Sequence, residues 1–457
     1  MKLIQSIFRE YDIRGTYPSE INESSISKIG QAIALKCKKE NVDHICVGRD
    51  GRLSGEVLLN QMCNSLSRSG IKVSNIGLVT SPILYYAAKK NPSKSGLMIT
   101  GSHNPKDDNG IKMVINDKPV SGTEILELCK SLPDLGESRE EISNIDIIDD
   151  YIEDISNKIK LKNPEEIKVV IDCGNGAAGC VAPKLFKKLG CNVVNLFSEI
   201  DGNFPNHHPD PGKLENLQDL IKSVIAEKAD LGLAFDGDGD RVGLISSDGE
   251  IVFPDKIMML FAEDVLNKNM GGKIIYDVKC SNHLSKIIEN SGGESIMSPT
   301  GHFHIKNALR KTNALLAGEM SGHIFFNDDW YGFDDGHYAG VRIIELINRL
   351  DMPIDKLISE LPKSFSTPEK NITATDKNKF EIVKRFAEEC SLEGKKITID
   401  GLRIEFQNGW GLLRASNTTP KLVLRFEGDT ESDLNNIEKD FINEFIRICP
   451  EIDPTMH

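Results

Sequence analysis

The run Asp236-Gly237-Asp238-Gly239-Asp240-Arg241 sets three carboxylates at alternate positions directly behind the apolar stretch Leu231-Gly232-Leu233-Ala234-Phe235. Alternate residues of an extended segment share a face, and the two glycines let the backbone curl, so the three carboxylates can turn toward one point. Hard oxygen donors in that number suit Mg2+ or another hard divalent ion better than zinc. A calcium EF-hand also opens Asp-x-Asp-x-Asp, but it needs Gly at loop position 6 and Glu at position 12, where this chain has Arg241 and Ser247. The plain alternative is a solvated acidic turn, since Asp-Gly pairs favour turns. Against it, carboxylates packed this closely repel one another unless a cation sits among them.

A second candidate is Ser102. The apolar Gly96-Leu97-Met98-Ile99 runs into Thr100-Gly101-Ser102-His103-Asn104-Pro105, which puts a serine hydroxyl at a loop tip within reach of a ligand, Pro105 blocking helix continuation. The serine could be a nucleophile, a phosphate carrier or simply a turn cap. It is not the Gly-x-Ser-x-Gly elbow of an esterase. Paired with the carboxylate triplet, it suggests a serine oxygen and a metal meeting a phosphoryl group. In Gly318-Glu319-Met320-Ser321-Gly322-His323 a carboxylate and a hydroxyl lie two apart, which in an extended loop suits neighbouring sugar hydroxyls. Arg414-Ala415-Ser416-Asn417-Thr418-Thr419 offers a guanidinium, hydroxyls and an amide, an inventory that fits a monophosphate. Each of these two runs could equally be a polar turn. Arg9, Arg14, Lys112, Lys279 and Lys306 stand beside such loops and could add to an anion site. A rival motif, Gly174-Asn175-Gly176-Ala177-Ala178-Gly179 with Glu199 about 20 residues on, matches the dinucleotide fingerprint; that reading leaves both Ser102 and the Asp triplet without a role.

The elements that position these runs repeat. An apolar strand ending at an Asp, a polar loop, a helical stretch and a second apolar strand occur at Ile45 to Asp50 and Ile71 to Ile76, at Val169 to Asp172 and Val193 to Phe197, and at Ile274 to Asp277 and Ser295 to Met297. Each reads as a β-α-β unit, so three related α/β domains with mixed sheets are expected, at 1–149, 150–253 and 254–366. Residues 367–457 read as a smaller α+β domain, with strands at 396–399, 402–406 and 422–426 and a helix from Glu431 to Ile448. The length of 457 residues allows four cores. A net charge of −14 argues against a nucleic-acid partner. No apolar run reaches the roughly 20 residues of a membrane helix, and Met1 to Arg9 is too short in apolar residues for a secretory signal. Ten scattered cysteines form no zinc pattern. A cytoplasmic monomer is therefore expected.

Taken together, Tyr11-Asp12-Ile13-Arg14-Gly15, the Ser102 loop, the Asp236 loop, the Glu319 to His323 loop and the Arg414 to Thr418 loop resemble, in order and over nearly the whole length, the α-D-phosphohexomutases. The resemblance is closest to the bacterial phosphomannomutase/phosphoglucomutase branch. It implies four domains around a central cleft, with Ser102 as the phosphoserine and Mg2+ held by Asp236, Asp238, Asp240 and an oxygen of Ser102 or its phosphate. It implies that Glu319 and Ser321 select sugar hydroxyls, while Arg414, Ser416, Asn417 and Thr418 grip the non-reacting phosphate, with Tyr11 and Lys279 also on the substrate. Arg14, Lys112, Arg241, His302 and His323 would line the reacting centre, where Lys112 or His302 would move protons. The implied reaction exchanges hexose 1-phosphate and 6-phosphate of mannose or glucose, with a hexose 1,6-bisphosphate as intermediate and activator. The alternatives are a phosphoglucosamine mutase, which Met320 disfavours, and an oxidoreductase using the Gly174 loop. A bisphosphate that must turn round implies that the last domain moves, so solution scattering should differ with and without hexose phosphate; identical profiles would count against the motion.

Overall fold

The computed structural model describes residues 3–133, 138–375, 377–417 and 419–452; Thr418 lies outside the described residues. Four sheets succeed one another along the chain. In the first, His44–Arg49 lies between Lys72–Leu78 and Gly96–Ile99, both parallel to it, and Asp108–Ile115 and Ile13–Thr16 extend the sheet antiparallel. In the second, Lys168–Asp172 lies between the parallel Asn192–Leu196 and Leu231–Phe235, with Val242–Ser246 antiparallel beyond. The third repeats the plan with Lys273–Asp277 between Glu294–Ser298 and Leu316–Gly318, and Ile324–Phe326 antiparallel. The reason is legible in composition: Leu231–Phe235 is buried at all five positions, as a strand covered on both faces must be. These are the expected mixed sheets.

The fourth sheet is antiparallel throughout, built on the long neighbours Gly409–Ala415 and Lys421–Gly428. Helix Glu431–Ile448 covers it. Thr430 and Asp433 cap its start reciprocally, and Ile437, Phe441, Phe445 and Ile448 return on one face at helical spacing. The strand Gly409–Ala415 departs from the sequence reading, which ran Arg414 together with Ser416 and Asn417 as one loop. Arg414 is instead fixed on a strand end, because Gly409, Gly411 and the buried Trp410, Leu412 and Leu413 read as ladder residues only once their partner is known.

One core runs through the first three units, with Met98 and Tyr86 from the first, Leu185 and Phe235 from the second, and Phe261 and Phe326 from the third. The fourth unit has a core of its own around Phe386, Phe426, Phe441 and Phe445. It meets the third through a small cluster of Val278, Trp410 and Leu412. There the buried Arg403 lies 3.8 Å over the Trp410 ring and donates to the carbonyls of Val278 and Cys280.

The Gly174 loop is occupied by the protein itself. Ala177 N–H donates to the Gly237 carbonyl at 2.9 Å, and a Cβ on Gly176 would lie 2.9 Å from that oxygen. A short 3-10 turn, Ala177–Cys180, follows in place of the α-helix that a pyrophosphate would face. The glycines here serve close backbone packing under the carboxylate loop. A Cβ on Gly179 would sit 2.1 Å from the Ser198 carbonyl, so Gly179→Ala should cost about 1–3 kcal/mol. A lower urea midpoint with unchanged slope is the expected readout; an unchanged midpoint would show that the segment yields.

Candidate functional site

The three acidic strand ends found in the sequence perform one task. Asp50 accepts from Thr100 Oγ1 at 2.7 Å, from Gly101 N–H at 3.2 Å and from Arg52. Asp172 accepts from Gly174 N–H at 2.8 Å and pairs with His207 at 2.9 Å. Asp277 accepts from Thr300 Oγ1 at 3.0 Å and from Met320 N–H at 3.3 Å. Each carboxylate thus anchors the root of a loop, a role whose position shows in the sequence and whose partners do not.

Arg52, which sequence reasoning missed, completes the serine loop. It is buried and donates to the carbonyls of Ser102, Asn104, Pro105 and Asp108. Its only sequence signal is its place two residues beyond a strand-terminal Asp. The loop it grips holds Ser102 at a φ of 48°, a left-handed conformation that costs free energy unless its surroundings enforce it. The hydroxyl is not at an open tip as expected; Ser102 is 2 % exposed, because the carboxylate loop of the second unit closes over it. Ser102 Oγ donates to Asp236 Oδ2 at 2.8 Å and lies 3.1 Å from His103 Nδ1.

Asp236, Asp238 and Asp240 are fully buried and their oxygens converge. Lys112 Nζ bridges Asp238 at 2.7 Å and Asp240 at 2.5 Å, and Ser81 donates to Asp238 at 2.6 Å. Burial and then the charges of Asp238 and Asp240 push the Asp236 carboxyl well above its ordinary range. Burial works against the charge of Asp238 as well, but Lys112 more than offsets it and holds that carboxyl below the usual range. Three carboxyl groups share the Lys112 ammonium, and Asp238 Oδ1 and Asp240 Oδ1 are buried without a hydrogen-bond partner among the described residues. The residues present fit a divalent cation held by oxygen.

Around this centre stand the other expected groups. Arg241 donates from its backbone to Asp236 at 3.1 Å and from Nε to His323 Nε2 at 3.0 Å. That bond makes Nδ1 of His323 the protonated nitrogen, 3.4 Å from Asp240 and 3.3 Å from Asp334. Asp334, also missed from sequence, takes Lys306 at 2.6 Å and faces His302 Nδ1 at 3.9 Å. Burial and then Lys306 hold the His302 imidazole well below its ordinary value. Arg14 reaches Asn104 Oδ1 at 2.5 Å, beside the serine, and is held by Asp12 at 2.6 Å.

Glu319 accepts from Gly301 N–H at 2.6 Å and is buried, while Ser321 is half-buried. The segment between them is a turn closed by Gly322 N–H on the Glu319 carbonyl at 3.0 Å. The extended alternation read from the sequence therefore does not apply, and a turn is what brings His323 back beside Arg241. At the fourth unit, Arg414 Nε pairs with Asp400 at 2.9 Å, and Asp400 also accepts from Thr300 N–H at 3.0 Å. Asn417 donates to Tyr11, whose hydroxyl donates in turn to the Thr300 carbonyl at 3.2 Å. Ser416 accepts from Thr419 N–H at 3.1 Å. Lys279 is held by Glu369 at 2.6 Å, and Lys279 in turn holds the Glu369 carboxyl down to about 2.

A buried serine thus lies beside three converging carboxylates with cations around them, in a chain of three related α/β units and a separate α+β unit. Four family models match the chain in order, described as phosphoglucomutase/phosphomannomutase alpha/beta/alpha domains I, II and III and C-terminal domain, at residues 5–134, 149–249, 253–365 and 369–444. The chain belongs to the phosphoglucomutase/phosphomannomutase family. It is 48% identical over 453 residues to the phosphomannomutase/phosphoglucomutase of Pseudomonas putida, covering 98% of this chain and 97% of that one. It is 48% identical over 446 residues to the phosphoglucomutase of Neisseria gonorrhoeae, covering 96% of each. A crystal structure of a phosphoglucomutase/phosphomannomutase family protein from Burkholderia thailandensis superposes with a TM-score of 0.93 at 43% identity, covering 99% of both chains.

Removing Arg52 would leave Asp50 charged and buried without its cation, so Arg52→Ala should cost about 3–5 kcal/mol. Adding Asp50→Asn should restore part of that loss, measurable as a coupling in a double-mutant cycle of urea denaturation. Additive losses would refute the pairing.

Proposed function

We propose that this chain interconverts hexose 1-phosphate and hexose 6-phosphate, of mannose, glucose or both, by lending a phosphoryl group from Ser102. The observation that carries the reading is the Ser102 hydroxyl on Asp236 at the carboxylate centre, supported by Arg414 at the end of its strand, paired with Asp400, whose carboxylate also takes the Thr300 N–H. Ser102, as phosphoserine, gives its phosphoryl to the free hydroxyl of the bound sugar phosphate, and the hydroxyl proton passes to a base. The bisphosphate then turns and returns its other phosphoryl to the Ser102 oxygen. His302 is the group we assign to take the proton, as a buried imidazole whose Nδ1 makes no hydrogen bond among the described residues and faces the Asp334 carboxylate at 3.9 Å. Lys112, Arg14 and Arg241 offset charge around the transferring group. Glu319 and Ser321 orient sugar hydroxyls. Arg414, Ser416 and Asn417, with Thr418, hold the idle phosphate, and Tyr11, Lys279 and His323 complete the wall.

Asp236, Asp238 and Asp240, with a Ser102 oxygen, would hold the metal, and an all-oxygen donor set favours Mg2+. When bound, it supplies charge neutralisation at the phosphoryl oxygens. The domain limits at 149/150, 253/254 and 366/367, a cytoplasmic monomer acting on free phosphosugars rather than on nucleic acid or membrane, and activation by hexose 1,6-bisphosphate belong to the same reading. Among the described residues no helix is long and apolar enough to cross a membrane. Met320 and the relatives' names favour hexose over hexosamine phosphate.

With Mg2+ and a trace of glucose 1,6-bisphosphate, mannose 1-phosphate or glucose 1-phosphate should be converted to its 6-phosphate. Ser102→Ala should lower turnover by at least about 10⁴-fold while hexose phosphate still binds, and chelator should abolish turnover. Turnover that survives in Ser102→Ala would sink the proposal; activity on glucosamine phosphate alone would move it to the hexosamine branch.

A further inference from the structure

Pro299, Thr300 and Gly301 link the strand Glu294–Ser298 to the helix His302–Thr312, and groups from three of the four units hold this short link. Thr300 N–H donates to Asp400 Oδ2 of the fourth unit at 3.0 Å, and Thr300 Oγ1 donates to Asp277 of the third at 3.0 Å. The Thr300 carbonyl accepts from Tyr11 of the first unit at 3.2 Å, and Gly301 N–H donates to Glu319 at 2.6 Å. Gly301 has a φ of 127°, and a Cβ there would lie 2.9 Å from the Tyr11 ring, so glycine alone lets the chain pass without strain. The next residue is His302, at the first position of its helix. Its imidazole goes where this entry turn directs it.

The fourth unit reaches both backbone groups of Thr300. Asp400 Oδ2, which accepts the Thr300 N–H, also accepts Arg414 Nε at 2.9 Å. On the other side, Asn417 donates to the Tyr11 hydroxyl that holds the Thr300 carbonyl. Because Arg414 is held by Nε, its paired terminal nitrogens are left for a phosphate fork. Asp400 owes its place to the residue after it. Gly401 has a φ of 84°, and a Cβ there would lie 2.2 Å from the Leu413 carbonyl and 2.7 Å from Arg414 Cα. The turn that carries Asp400 is therefore pressed against the strand end that carries Arg414.

We propose that Asp400 is a positioning residue for the transfer chemistry, one carboxylate oxygen aiming the Arg414 fork at the idle phosphate and, through the Thr300 N–H, placing the His302 imidazole. A phosphate gripped by the fourth unit and a base set in the third are then one geometric state. This role rests on the mutase reading and deepens it. A mere counterion to Arg414 would fail as badly in Asp400→Asn as in Asp400→Ala, whereas an amide oxygen can still accept from both donors. Asp400→Ala should raise KM for glucose 1-phosphate and lower kcat, each by about tenfold or more, while Asp400→Asn keeps kcat close to the wild-type value. Added to Arg414→Ala, Asp400→Ala should still lower kcat, because that loss travels through Thr300. A readout that needs no turnover is the ring signal of His302 in the full chain carrying isotope-labelled histidine, assigned by its loss in His302→Gln. It should shift in ligand-free Asp400→Ala and keep its place in Asp400→Asn. Equal kcat losses in the two Asp400 variants, a kcat loss that vanishes in the Arg414→Ala background, or a His302 signal unmoved in Asp400→Ala would overturn the proposal. A wild-type chain that turns over no hexose phosphate would refute the mutase reading alone, and the His302 signal would still decide whether Asp400 places that ring.

Discussion

Three carboxyl groups buried with their oxygens converging are a costly arrangement, and groups from the neighbouring unit serve to make it tolerable. Unpaired charge in a low-dielectric interior is held only by partners placed in advance. Lys112 comes from the first unit and the carboxylates from the second, so the charge centre can exist only when the two units are docked. The continuous core that joins them is the other half of that arrangement. Hydrophobic burial holds the units together against the repulsion, and the repulsion keeps a place open for a cation.

The second organising device is the strand-terminal aspartate. In a parallel sheet the loops that emerge from neighbouring strands lie side by side, and a carboxylate at the end of one strand can accept N–H and O–H donors from the next. Asp50, Asp172 and Asp277 do this in three successive units, with Thr100, His207 and Thr300 as the partners from the neighbouring loop. A loop that would otherwise sample many conformations is tied to a rigid element at its root. Ser102 is held off the common backbone regions by this means, with Arg52 gripping four carbonyls of its loop. The placement of the serine oxygen therefore depends on two residues that touch no reacting atom.

Much of this was legible in the sequence. The carboxylate triplet and the serine loop showed because their chemistry is concentrated in six consecutive residues each, and the β-α-β units showed because buried parallel strands are apolar at every position. What stayed hidden was contributed by partners far along the chain. Arg52 and Asp334 look like ordinary surface charges until folding brings Ser102 or His302 beside them. The strand carrying Arg414 was missed because a strand with glycines at alternate positions lacks the usual signature. Its glycines make room for a neighbour: a Cβ on Gly411 would lie 2.7 Å from the Phe441 ring. The Glu319 run was open between an extended loop and a turn, because the hydrogen bond from Gly322 N–H to the Glu319 carbonyl that decides it leaves no mark in residue type. The Gly174 fingerprint shows the converse, a motif whose glycines are needed by the fold and whose function belongs to other proteins.

The fourth unit's private core has a thermodynamic consequence. Little apolar surface crosses the joint at Trp410, and the rest of the seam is polar. A unit attached in this way can unfold apart from the other three, so a free energy of unfolding read for those three belongs to their own transition. Heat or denaturant meets two cores joined end to end, and whichever yields first sets the temperature at which they part, whatever the resistance of the other.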